Sequence, residues 1–254
     1  MGRRGHLSSQ VQLALEQVSK SYWRGPHETA VLKGVSLSVY EGECVAVWGQ
    51  RGSGKTTLLK VAAGLERPES GTVSFKEQDL GAMSRGALVR LLREEIGWAR
   101  RTGPESGELE MLDYVALPLL KSQTLRRARR RSAAALARVG VEGCSKGRWE
   151  DLTDGERTLV SIAHAMVREP SLLVVDDPTA NLDVLQREEV MGLLRSTAEQ
   201  DWLGVLITVP DMPSMVHAHR IGSLSDGRLL VPSGASPERD NVVEFPTRGR
   251  AAPG

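Results

Sequence analysis

The sequence predicts an α/β fold built on a mostly parallel sheet. Three observations carry that expectation. Short apolar runs at 43–48 (ECVAVW), 171–176 (SLLVVD) and 203–208 (LGVLIT) read as buried strands. Helical patterns alternate with strands through the second half of the chain, which suggests a sheet covered on both faces. A glycine-rich stretch, GQRGSGKT at 49–56, follows the first run at once and opens a helical pattern.

In chain order, residues 11–19 and 31–39 alternate apolar and polar, as half-buried strands do. The intervening YWRGPHE, 22–28, reads as a turn. After the run at 43–48 a helix is expected from Lys55, a strand at 71–75, then polar linkers and helical patterns to about 139. Asp226-Gly227, between short apolar segments, predicts a tight hairpin. Residues 1–10 and the Pro, Gly, Ser and Arg-rich stretch 232–254 are expected to be mobile tails.

The chain has 254 residues, 40% of them hydrophobic, with a net charge of +1. That suits one domain of ordinary size with a true core. The balanced charge argues against nucleic acid as a partner. Two distant cysteines, Cys44 and Cys144, match no metal or redox spacing and predict a reducing cytosol without a disulfide frame. The polar stretch MGRRGHLSSQ, with no apolar run behind it, leads to the expectation of no signal peptide. No window approaches 18 uninterrupted apolar residues, so any membrane role is expected to come through a partner.

Residues 49–56 fit the phosphate-binding pattern G-x-x-x-x-G-K-[ST], between a strand-like run and a helix-like one. Gly49, Gly52 and Gly54 let the backbone curl so that N–H groups, those of Gln50, Arg51 and Ser53 included, point at phosphate oxygens. The following helix, with Thr57 in its first turn, adds its positive N-terminal end. Lys55 is expected to reach the β- and γ-phosphates of ATP, and the Thr56 hydroxyl to ligate Mg²⁺. Downstream, SLLVVDDPTANLD at 171–183 places acids at the end of a strand. Asp176 is expected to hold Mg²⁺ through water, and Asp177 to face the attacking water.

These pieces, with LTDGE at 152–156 and ANLD at 180–183, resemble the ATP-binding cassette family across residues 11–230. Within it they are most similar to the lipoprotein-release, macrolide-export and cell-division cassettes, on LKGVSLSVYEGE (32–43), LLKVAAGLERPESGTV (58–73), VALPLL (115–120) and DDPTANLD (176–183). The resemblance implies a P-loop NTPase: a RecA-like core with a mostly parallel sheet, an antiparallel β subdomain, and a helical signature subdomain inserted at about 97–168. It implies Tyr22 as the adenine-stacking aromatic. It also implies a head-to-tail dimer in which the signature, Thr153, Gly155 and Glu156 here, meets the other subunit's ATP in trans. The implied partners are a membrane permease and a second cassette, identical or different. The implied location is cytoplasmic, peripheral on the inner face of the cell membrane.

Four motif positions depart from the family pattern. Arg101 falls at the glutamine of the Gln loop and cannot ligate a metal. Asp177 replaces the catalytic glutamate and is one methylene shorter. ITVPD, 207–211, puts Val209 or Pro210 where the switch histidine belongs. His217 and His219 follow and read as surface residues. In the signature Asp154 places a carboxylate where a γ-phosphate arrives, and Leu159 stands where a basic residue is usual. The groups that hold Mg-ATP are kept and those that position water are altered, so turnover should suffer more than binding. The expected setting is a heterodimer with a conventional cassette, a hydrolysing homodimer being the other. Two readings then compete: an energy-coupling subunit of a transporter, and a weakly catalytic, ATP-dependent regulatory module. A soluble cassette of DNA repair or translation fits less, as the chain has neither a long coiled-coil insert nor tandem cassettes. The polar TGPESGE, 102–108, replaces the apolar surface expected for a permease, and RRARRR, 126–131, reads as a solvated helix face rather than a lipid contact.

Overall fold

Strands β1 (Val11–Arg24) and β2 (His27–Tyr40) form a long antiparallel hairpin in this computed structural model, which describes residues 10–100, 102–215 and 217–231. The expected turn at 22–28 is corrected. Pairing continues through Tyr22↔Thr29 and Trp23↔Glu28 to Arg24↔His27, leaving only Gly25 and Pro26 as the turn. Aromatic residues favour a pleated ladder, and Gly25, with φ of 61°, closes it at its tip. β4 (Ser70–Phe75) and β5 (Gln78–Asp79) extend this antiparallel sheet in the order β2-β1-β4-β5. Gly71 is required where β4 crosses β1: a Cβ there would lie 2.4 Å from the carbonyl oxygens of Glu16 and Gln17.

The second sheet contains β3 (Cys44–Trp48), β6 (Ile96–Ala99), β7 (Leu172–Asp176), β8 (Gly204–Val209), β9 (Arg220–Ser225) and β10 (Arg228–Leu230). Their order is β10-β9-β3-β8-β7-β6, parallel except for the β9/β10 hairpin. That hairpin turns at Asp226 and Gly227, both at positive φ, as the dipeptide predicted.

The helices are α1 (Lys55–Ala62), α2 (Arg85–Glu94), α3 (Met111–Ala116), α4 (Leu125–Arg138), α5 (Asp154–Met166) and α6 (Val184–Asp201). Residues alternate across the central strands, so the sheet separates two cores. Val45, Val47, Leu172, Val174 and Leu206 pack with α1 and the antiparallel sheet. Cys44, Ala46, Leu173, Val175, Val205, Ile207 and Val209 pack toward α3, α4, α5 and α6. Within the span 97–168, residues 97–99 belong to β6, and α3, α4 and α5 supply the helices.

The arginine-rich helix α4 is partly neutralised. Arg129 forks onto Asp113 at 2.6 and 2.8 Å, Arg131 meets Glu169 at 2.8 Å, and Arg138 meets Asp201, while Arg126, Arg127 and Arg130 are exposed. No helix among the described residues is long and apolar enough to cross a membrane. The predicted tails 1–10 and 232–254 lie outside the described residues, save Gln10, whose carbonyl accepts the Glu41 N–H at 3.0 Å.

Candidate functional site

The parallel register gathers the site. β3 lies beside β8 and β8 beside β7, so their C-terminal ends share one edge of the sheet. Residues 49–54 leave the end of β3 at that edge and run into α1. Gly49 is buried, and a Cβ on it would lie 2.4 Å from Ser53 Oγ and 2.6 Å from the Leu224 carbonyl, so only glycine fits. Gly52 and Gly54 hold φ of 84° and 102°, a region that favours glycine. Gly54 is the N-cap of α1 and offers no side-chain cap, so the first N–H groups of the helix remain turned to the loop. The Lys55 ammonium curls over the loop, donating to the carbonyls of Gly49 at 2.7 Å and Gln50 at 3.3 Å. Gln50, Arg51, Gly52 and Thr56 are exposed around it. A ring of amides with an ammonium behind it suits a chain of phosphates.

The acidic half sits across this cradle. Thr56 Oγ1 donates to Asp176 Oδ2 at 2.9 Å, and Thr208 Oγ1 donates to Asp176 Oδ1 at 2.8 Å. Thr208 also accepts the Asp177 N–H at 3.1 Å. One threonine thus orients the carboxylate and ties down the next residue. Mg²⁺ takes one or two protein oxygens and keeps several waters, and Thr56 with Asp176 supplies such a pair beside the phosphate loop. Asp177 follows at φ 47°, a left-handed conformation that costs an aspartate on the order of 1 kcal/mol. The strain turns the chain sharply after β7 and sets Asp177 at the sheet edge. Thr208 is the residue that sequence reasoning missed. Its signal, a threonine at the end of a buried strand, was present in ITVPD.

The two residues offered for the switch position lie in different surroundings. Val209 is fully buried in the core on the α6 side of the sheet, whereas Pro210 is exposed beyond the strand end. Pro210 therefore stands at the edge, and it has no side-chain donor. Asp211 turns away to pair with Arg187 at 2.9 Å and to accept from Ser214. His219 accepts the Cys44 N–H through Nδ1 at 2.9 Å, at the opposite end of β3 from the phosphate loop. Arg101, the Gln-loop position, lies outside the described residues.

Tyr22 reaches the helix behind the loop. Its hydroxyl bonds Glu66 and lies 3.4 Å from Thr57 Oγ1, and Glu66 is held in turn by Lys60 at 3.0 Å. The residue remains 38% exposed, with the Lys20 ammonium over its ring at 5.5 Å from the centroid.

The signature lies at the start of α5. Thr153 is the N-cap: its N–H and hydroxyl both donate to Glu156 Oε2 at 2.8 Å, and its Oγ1 accepts the Glu156 N–H at 3.3 Å. The Thr153 N–H, with its hydroxyl, holds the Glu156 carboxyl below the usual carboxylate range. Gly155 is buried, with the Gln186 side chain on its face. Asp154, the acid that the sequence places in the signature, has a cation beside it: Arg157 Nη1 lies 3.5 Å from Asp154 Oδ1. Sequence reasoning also missed Arg157, for which an i,i+3 pair of opposite charges was the available signal.

Comparison with known proteins agrees with this geometry. The model of the ABC transporter family matches residues 32–180. The lipoprotein-releasing system ATP-binding protein LolD of Chromohalobacter salexigens is 36% identical over 87% of this chain and 94% of its own length. The macrolide export ATP-binding/permease protein MacB of Escherichia coli is 33% identical over 87% of this chain, which spans only 34% of that longer protein. Among solved structures, the dimeric cassette MJ0796 bound to ADP and Pi superposes with a TM-score of 0.79 at 28% identity, covering 85% of this chain and 96% of that one.

Proposed function

Starting from a chain that belongs to the ABC transporter family as its ATP-binding, ATP-hydrolysing subunit, we propose a Mg-ATP site that grips its nucleotide firmly and turns it over slowly. Subunits of this family pair with one another and with membrane permeases. The observation that carries the reading is the split within one sheet edge. Lys55, Thr56 and Asp176 are assembled, with Thr56 and Asp176 2.9 Å apart. Beside them stand a shortened acid, Asp177, and an exposed proline, Pro210.

In this reading Lys55 and the amides of 50–54 bind the phosphates, Thr56 and Asp176 hold Mg²⁺, Thr57 steadies Tyr22, and Tyr22 stacks on the base. Bound Mg²⁺ supplies charge neutralisation on the phosphates. Asp177 orients the attacking water, and its shorter reach leaves that water misplaced. A misplacement near 1 Å costs on the order of 100-fold in rate. The helical segment α3–α5 carries Thr153, Gly155 and Glu156 to the second subunit's nucleotide. The chain sits on the inner face of the membrane through its permease. The names of the relatives point to lipoprotein release or macrolide export as the class of system.

The Asp154–Arg157 pair weakens the case for an obligate heterodimer. With its carboxylate neutralised locally, the signature can face a second copy of this chain. A regulatory role is favoured by one feature: Thr102 and residues 105–108 are exposed and polar where a permease should dock. Co-purification with a permease that accelerates hydrolysis decides for transport. Calorimetry tests the binding half. Saturable heat on titrating Mg-ATP, with the affinity clearly weakened in Lys55→Ala, supports the reading, and no heat with the unaltered chain rejects it.

A further inference from the structure

Asp154 is an unusual residue to point at an incoming triphosphate, and its surroundings show how the fold accommodates it. The residue lies in the first turn of α5, between the cap Thr153 and the buried Gly155. The basic residue expected further along the helix is replaced by Leu159, which packs part-buried against the core. Arg157 stands one helical turn after Asp154, and its guanidinium does not float. Nε donates to the Trp149 carbonyl and Nη2 to the Glu150 carbonyl, both at 3.1 Å, while Nη1 reaches Asp154 at 3.5 Å. The side chains are 34% and 42% exposed, so the ion pair adds little to folding stability. Its importance lies in the charge it presents. Two carbonyls fix the cation beside the carboxylate on the surface that must meet phosphate. A like-charge contact there would repel, and an anchored guanidinium removes the repulsion.

We propose that Arg157 is the positioning cation of this signature, neutralising Asp154 so that the first turn of α5 can meet the triphosphate held by a second copy of the chain. The inference rests on the ATP-binding reading above and deepens it.

The test measures self-association of the purified chain in Mg-ATP by sedimentation, beside calorimetric Mg-ATP binding to the dilute chain. Arg157→Gln should leave binding to the dilute chain unchanged and weaken ATP-driven self-association about ten-fold or more. Adding Asp154→Gly to that variant should restore association, because no carboxylate then needs neutralising. Asp154→Gly alone should associate at least as tightly as the unaltered chain. The proposal is overturned if Arg157→Gln associates normally. It is equally overturned if the double variant stays as weak as the single, which would assign Arg157 only to the Trp149 and Glu150 carbonyls. It also fails if the unaltered chain binds Mg-ATP yet never self-associates. Absence of Mg-ATP binding in the unaltered chain is a different failure, since it removes the nucleotide reading itself.

Discussion

Single side chains divide the site into a part that holds and a part that acts. Lys55→Ala removes the one ammonium curled over the loop, and charge-assisted hydrogen bonds of this kind contribute about 1.5–3 kcal/mol each. Mg-ATP affinity should fall by roughly 10- to 100-fold, read by calorimetry. Gly49→Ala drives a methyl into Ser53 and the Leu224 carbonyl. It should abolish nucleotide binding and lower the melting temperature, whereas an alanine at the open Gly86 should do neither. The phosphate loop was legible because its residues are contiguous and their spacing is the chemistry. Thr208 and Arg157 were not, because their roles depend on a strand register and on a helix turn. Those features bring Thr208 to Asp176 across 32 positions of sequence and Arg157 to Asp154 across three. Val209 shows the same limit: motif alignment left it level with Pro210, and only the alternation of β8 sends its side chain into the core.

Elements transmit what the side chains do. Thr153 caps α5 through reciprocal bonds with Glu156, so Thr153→Ala should destabilise the chain by about 1 kcal/mol in urea unfolding. Behind the cap, His164 of α5 stacks on Tyr114 of α3 with ring centroids 4.5 Å apart, and Tyr114 meets Trp149 edge-on. Burial, with Arg100 and Arg168 nearby, pushes the His164 pKa down to about 4. A free imidazole titrates near pH 6.5. The neutral ring therefore favours the native state fully above that value, and the advantage is lost as pH falls toward about 4. His164→Phe keeps a stacked ring without a proton site. Its urea midpoint should fall less than that of the unaltered chain between about pH 7 and about pH 4.5. Helix α5 was expected as part of a helical lobe, but its aromatic seam was invisible in sequence because three separate segments supply it.

At the scale of the molecule, a parallel sheet joins two cores and delivers three strand ends to one edge. The buried apolar runs announced β3, β7 and β8, since a strand covered on both faces has no polar alternation to blur it. The antiparallel hairpin was read too short, because Tyr22-Trp23-Arg24 mixes strand-forming and turn-like signals that only pairing resolves. On the proposed reading, that edge grips Mg-ATP firmly and cleaves it slowly. The most direct test is single-turnover hydrolysis of Mg-ATP by excess chain, compared with Asp177→Glu. The account predicts slow cleavage that the added methylene accelerates on the order of 10- to 100-fold. Cleavage by the unaltered chain already near the common enzyme rate of about 10 per second, and not improved by the exchange, would contradict it.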